Sequence, residues 1–211
     1  MENVKKSYYE NGNIKSEYHY KNDKLHRDNG PAIIRYYENG NIESEHWYEN
    51  NQYHRNNGPA IIHYYENGNI EKEFWFKDGK YHRDNGSAII YYYENRKIKC
   101  EFWYKNSERH KDNGPAEIYY YENGNIREEY WYKSDKWHRD NGPAIVKYDE
   151  NQNIINEKFY LNGKEVDELK ILVNYNNADG KSEGYKADNL HIADRGHDII
   201  THKIESFMEE L

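Results

Sequence analysis

Residues 32–48 are rich in β-branched and aromatic side chains and are bounded by turn residues, and no helical spacing of apolar positions fits them. Ala32-Ile33-Ile34-Arg35-Tyr36-Tyr37-Glu38 reads as one strand, and Ile42 to Tyr48 as its return. Asn39-Gly40 between them predicts a two-residue type I′ turn, which needs positive φ at both central positions. On that register Tyr37 meets Ile42 and Ala32 meets Trp47. One face then carries Ala32, Ile34, Tyr36, Glu43, Glu45 and Trp47; the other carries Ile33, Arg35, Tyr37, Ile42, Ser44, His46 and Tyr48. Glu49-Asn50-Asn51-Gln52 is turn-like, and Asp28-Asn29-Gly30-Pro31 ends strand pairing because proline lacks the N–H.

The same pattern recurs every 28 residues: His26, His54, His82, His110 and His138 each precede Arg or Lys in phrases such as HRDNGPA. ENGNI begins at Glu10, Glu38, Glu66 and Glu122, with variants at Glu94 and Glu150. Trp47, Trp75, Trp103 and Trp131 form a third column, ended by His19 and Phe159. Six copies of one hairpin unit follow, at 4–20, 32–48, 60–76, 88–104, 116–132 and 144–160, the first without its leading loop. The expected fold is all-β, an elongated antiparallel meander or solenoid of six 28-residue hairpin repeats with a C-terminal helical cap. The array takes residues 1–160 and the capping segment 161–211. In such arrays each unit is stabilised mainly by its neighbours.

The two faces differ in how much they vary. Ala, Ile or Val, Tyr and Trp hardly change on the first, whereas Arg35 becomes His63, Tyr91, Tyr119 and Lys147 on the second. The second face is therefore the expected binding face, with Arg35, His63, Tyr91 and Tyr119 flanked by Tyr37, Tyr65, Tyr93 and Tyr121. Large aromatic and Arg side chains dominate interface energetics. Drift at an indifferent solvent position explains the variation almost as well.

Composition narrows the function. Mean hydropathy is -1.36 with few aliphatic residues, but 24 Tyr, 5 Trp and 5 Phe supply large surfaces for a thin core. The net charge of -8 leaves no overall basic field for sequence-independent nucleic-acid binding. One cysteine, Cys100, excludes an internal disulfide framework, and neither a signal core nor a membrane-length span is present, so the cytoplasm is the expected compartment.

After Tyr160 the phrase LNGKEV starts like another repeat and then fails. An apolar run at Leu169, Ile171, Leu172 and Val173 leads to a polar segment. From about Asp194 to Leu211, Ile199, Ile200, Ile204, Phe207, Met208 and Leu211 follow helical spacing. Residues 161–211 together carry six basic and eleven acidic groups.

Candidate chemistry is sparse. Equivalent histidines stand ~9–10 Å apart if a repeat adds two strands, too far to share a Zn²⁺ held at ~2.0–2.1 Å. Their expected role, with the following Arg, is to tie the long connection to the neighbouring hairpin. The glutamates at 17, 45, 73, 101, 129 and 157 are as far apart, and pairing with the Arg27-type column or loop N–H groups is expected of them. The Trp column reads as core packing, with stacking on bases or sugars as the alternative. His191, His197, Asp198 and His202 match no metal motif, and no metal or cofactor is expected.

The Y-x-E-N-G-N-I hairpin followed by W-Y-K-x-x-K-x-H-R-D-N-G-P-A resembles the MORN-variant repeat family, whose bacterial members are often labelled antitoxins. The likeness covers residues 1 to about 160; the usual MORN unit is shorter, and the HRDNGPA insertion departs from it. Together with the residues it points to a non-enzymatic scaffold that binds and neutralises a partner protein, as antitoxins, immunity proteins and inhibitors do. The alternative is an acidic inhibitor or decoy of a nucleic-acid-processing enzyme, or a nucleic-acid binder.

Overall fold

The computed structural model describes residues 2–105 and 107–167, and these are all β, with no helix. Hairpins pair Glu2–Tyr8 with Ile14–Lys21, Ile33–Tyr36 with Ile42–His46, and Ile61–Tyr64 with Ile70–Phe74. They continue as Ile89–Tyr92 with Ile98–Phe102, Glu117–Tyr120 with Ile126–Tyr130, and Ile145–Tyr148 with Ile154–Leu161. Each hairpin pairs antiparallel with the next, so their twelve strands form one meander, and Lys24–Leu25 beside the first hairpin and Lys164–Val166 beside the last bring the sheet to 14 strands. At ~4.8 Å per strand it extends about 60 Å. The expected helix over 194–211, the apolar run at 169–173 and the His191, His197, Asp198 and His202 set lie outside the described residues.

Away from the turn, the register is the expected one: Ile33 opposes His46, Ile34 opposes Glu45 and Arg35 opposes Ser44. At the turn it differs. Gly40 N–H donates to Tyr37 O at 2.9 Å, Tyr37 N–H donates to Asn41 O at 2.8 Å, and Gly40 has φ 90° while Asn39 is not in the left-handed region. This is a three-residue loop, a type I turn closed by one left-handed residue. The Asn39 side chain selects it by accepting the Asn41 N–H at 2.9 Å, which holds Asn39 in an Asx turn. Tyr36 therefore opposes Ile42, and Glu43 is taken up in a bulge that restores the register of the remaining strand.

Two consecutive left-handed residues occur in the other connection, at Asn22-Asp23, Asn50-Asn51, Asp78-Gly79 and Ser134-Asp135. They close short side hairpins, Tyr48–Glu49 with Gln52–Tyr53 and Phe76–Lys77 with Lys80–Tyr81 among them. The main strand ends at His46 because the Trp47 carbonyl leaves the ladder, while its N–H still keeps the register of the next hairpin. Its N–H donates to Ala60 O at 2.7 Å, and its carbonyl accepts His54 N–H at 3.1 Å.

The core is thin and repetitive. Ala32, Ala60, Ala88, Ala116 and Ala144 are each 0% exposed, beside buried Ile33, Ile34 and their equivalents. The HRDNGPA loop packs back on the Trp column. Arg55 lies over Trp47 at 3.9 Å, Arg83 over Trp75 at 3.9 Å, Lys111 over Trp103 at 4.1 Å and Arg139 over Trp131 at 3.8 Å. The other side of the cation meets glycine: a Cβ at Gly86 would come within 2.9 Å of Arg83 Cδ. The invariable Trp, Arg or Lys, and Gly of the phrase are thus one sandwich, in which cation–π contacts contribute roughly 0.5–2 kcal/mol each.

Side chains also join each repeat to its successor. Hydroxyls of Tyr37, Tyr65, Tyr93 and Tyr121 donate to the carbonyls of Tyr64, Tyr92, Tyr120 and Tyr148 at 2.6, 2.7, 2.8 and 2.8 Å. Asn41 Nδ2 donates to Glu66 O at 2.7 Å, and Asn69 and Asn125 repeat the contact. The four interior members of the glutamate column, Glu45, Glu73, Glu101 and Glu129, accept from tyrosine hydroxyls, as from Tyr64 to Glu45 at 3.0 Å and from Tyr120 to Glu101 at 2.8 Å, whereas Glu17 pairs with Lys6 at 2.9 Å.

The terminal repeats break these rules. In the last, Asp149 replaces the linking tyrosine, and Asn153 Nδ2 donates back to Asp149 Oδ2 at 2.9 Å instead of forward. In the first, Lys5 and Lys6 stand where the next three repeats have a buried Ile pair, and the strand Glu2–Tyr8 is exposed throughout. Lysines on an edge strand discourage pairing with another sheet.

Candidate binding face

The alternation of the strands brings Arg35, His63, Tyr91 and Tyr119 to the face that also holds Ser44, Lys72, Cys100 and Glu128, their pairing partners. A continuous row of rings runs along this face. His46 meets His63 edge-on at 5.7 Å, then Phe74 meets Tyr91 at 6.1 Å, Phe102 meets Tyr119 at 5.8 Å, and Tyr119 meets Tyr130 at 5.8 Å. His63–Phe74 and Tyr91–Phe102 complete the chain with interplanar angles of 74° and 73°. Edge-to-face pairs place the positive ring edge against a negative ring face, worth ~0.5–1.5 kcal/mol beyond burial.

A second aromatic row is supplied by the side hairpins. Tyr53 stacks on Phe76 at 5.1 Å and Phe76 on Tyr81 at 4.6 Å, with Tyr104 next at 5.5 Å. Phe74 lies 6.3 Å from Tyr81, so the two rows touch. Their members are half-buried, apart from His46, which is buried. The sequence reading named His63, Tyr91 and Tyr119 but missed their partners His46, Phe74, Phe102 and Tyr130, although that column carries a ring in every copy but the last, where it is Lys158.

The remaining predicted site residues divide. Arg35 is exposed at the N-terminal end of the row. Tyr37, Tyr65, Tyr93 and Tyr121 stand near the turns with their hydroxyls spent on the inter-repeat bonds, and their half-buried rings border the face.

Burial sets the charge state of the histidines. Burial, with Arg35 beside it, lowers His46 to about 4, and burial with Lys72 lowers His63 to about 4. Both are neutral at pH 7. The unfolded chain binds their protons first as pH falls from 6.5, so they contribute stability above that pH and lose it on the way to about 4. His46→Phe, which copies Phe74 and Phe102, is expected to recover part of the loss. Urea midpoints at pH 7 and 4.5 check this: the variant's midpoint should drop less than the parent's.

One repeat replaces an apolar contact by an ion pair. Glu117 occupies the column of Ile33, Ile61, Ile89 and Ile145, and Arg109 the column of Leu25, Tyr53, Tyr81 and Trp137. Arg109 Nε and the Glu117 carboxylate are in direct contact. Burial pushes the Glu117 carboxyl upward, opposed by Arg109 and by a hydrogen bond with Tyr132.

The other repeated ionisable columns are occupied structurally. His26 Nε2 pairs with Asp28 Oδ1 at 2.7 Å and His110 with Asp112 at 2.7 Å, within the same loop. Cys100 is buried, and burial pushes its thiol up to about 11, away from the reactive thiolate. Among the described residues no three His, Cys, Asp or Glu side chains gather as a metal site, and no helix is long and apolar enough to cross a membrane. No protein-family model matches the chain, and neither a curated protein nor a solved structure does.

Proposed function

We propose that the chain is a non-enzymatic repeat scaffold that binds a partner protein and neutralises it, as an antitoxin, immunity protein or other stoichiometric inhibitor does, within the cytoplasm. The observation that carries this reading is the continuous half-buried aromatic row, whose ring identities change from repeat to repeat while the opposite face stays uniform. Rings held by their neighbours lose little rotamer freedom on binding, which favours large aromatic side chains at interfaces. Glu45 and Glu101 of the recurring carboxylates accept from tyrosines, and His26 and His110 of the recurring histidines pair with Asp28 and Asp112, which supports a scaffold rather than a catalyst. The likeness to MORN-variant repeat proteins belongs to the same proposal.

The test uses a partner recovered by pull-down from the native cell and titrated against single variants. Arg35→Ala, Tyr91→Ala and Tyr119→Ala are expected to weaken binding on the order of tenfold or more each, the scale of interface hot spots. Arg55→Ala, on the opposite face, should bind normally, with circular dichroism confirming that all four are folded. Normal binding by the first three alongside loss in Arg55→Ala would assign the interface to the wrong side of the sheet.

A further inference from the structure

We propose that the aromatic face takes an acidic, extended segment of its ligand, on the order of a dozen residues long and lying along the array. The inference deepens the partner-binding reading and rests on it. Its basis is the sign of the charge on this face. In the column 35, 63, 91, 119, 147 and its pairing column 44, 72, 100, 128, 156, the cations are Arg35, Lys72 and Lys147, and the single carboxylate is Glu128. Glu128 is already held by Lys147 at 3.3 Å and by Arg127 at 3.3 Å. Lys72 lies 3.7 Å from Glu71, which leaves Arg35 in no ion pair among the described residues. A chain of net charge -8 therefore turns a cationic strip to solvent along its most aromatic face.

Spacing decides between an acidic polypeptide and a nucleic acid. Arg35 and Lys147 stand four repeats apart, ~38 Å at two strands per repeat, which an extended chain spans with about a dozen residues. Three cations over that length suit scattered carboxylates. A nucleic-acid strand carries a charge every ~3.4 Å and would be left largely unneutralised. The second aromatic row is stacked on itself at 25° and 33°, and the Trp rings of the opposite face lie under cations, so neither offers a free platform for bases.

The probe is a fluorescently labelled random copolymer of glutamate and tyrosine, with polylysine and single-stranded poly(U) as comparison polymers, read by anisotropy at 50 and 200 mM salt on the full chain. The copolymer should bind, weaken with salt, and lose at least tenfold affinity on Arg35→Glu. That exposed position has no ion pair to break among the described residues, so the fold is not at stake. Poly(U) should bind far more weakly, and polylysine, drawn to the rest of a chain of net charge -8, should lose no affinity on Arg35→Glu. Absence of copolymer binding, indifference to Arg35→Glu, or equal binding of poly(U) would each overturn the inference. A partner that is lost on Tyr91→Ala yet unaffected by Arg35→Glu would overturn the acidic ligand alone and leave the protein-binding reading standing.

Discussion

Arg109→Ala is expected to destabilise the fold by about 3 kcal/mol, because it strands a buried carboxylate without its counter-ion. The value sits at the lower end of that range because the arginine side chain is 40% exposed whereas Glu117 is 8% exposed. The penalty should depend on pH in a set direction. Burial raises the Glu117 carboxyl in the folded chain, so the folded state binds its proton more readily than the unfolded state. Stability from this group is therefore present at low pH and lost as pH rises through the raised value. Removing Arg109 enlarges that effect. The gap between variant and parent should be widest near pH 7 and narrow on acidification, measured as the difference in urea midpoints. The double variant Arg109→Tyr, Glu117→Ile restores the residues found at Tyr81 and Ile89. It should match the parent or exceed it, since apolar replacement of a buried pair is often neutral or stabilising.

Deleting residues 61–88 should leave a folded, shorter array. Ile89 then follows Ala60, and the strand Ile89–Tyr92 meets Ile42–His46 in the register that Ile61–Tyr64 had, with Tyr91 opposite Ser44 in place of His63. The tyrosine, asparagine and glutamate links re-form because each repeat offers the same donors and acceptors. The urea m-value should fall by roughly one sixth, following the surface removed, with little change in circular dichroism per residue. Deleting 61–87, one residue fewer, sends every side chain of the next strand to the opposite face and should abolish cooperative unfolding across the junction. Equal behaviour of the two deletions would mean that the repeats do not share a fixed register.

Periodicity made the architecture legible in advance. A spacing of 28 residues located six hairpins, and strand alternation sorted Ile33, Arg35 and Ser44 from Ile34 and Glu45 correctly. The turn chemistry was misplaced because Asn-Gly serves two geometries. At Asn39-Gly40 the asparagine bonds to its own backbone and only glycine is left-handed, while the paired left-handed residues fall at Asn50-Asn51 and Ser134-Asp135, where the sequence signal is weaker. The break at Trp47 was also hidden, since nothing in a run of strand-forming residues announces that the Trp47 carbonyl will accept from His54 N–H instead of from the sheet. Of the candidate face, the column through Arg35, His63, Tyr91 and Tyr119 was visible as variation. Its ring partners went unnoticed because His46, Phe74, Phe102 and Tyr130 keep one chemical character. The coupled change at Arg109 and Glu117 lies eight positions apart in the chain, and only the closed loop makes them neighbours.

The terminal exceptions give the molecule the properties of a ruler. Interior copies are interchangeable, so a copy can be gained or lost between them in whole steps of ~9.6 Å without disturbing those on either side. The last copy differs, because Asp149 and Asn153 bond to each other and, among the described residues, extend no side-chain bond forward. The first presents lysines where a neighbour would need isoleucine. Growth by head-to-tail joining of whole molecules is thereby penalised, while growth by internal duplication is not. The reach of the aromatic face is thus a quantised quantity, written in the number of interior copies.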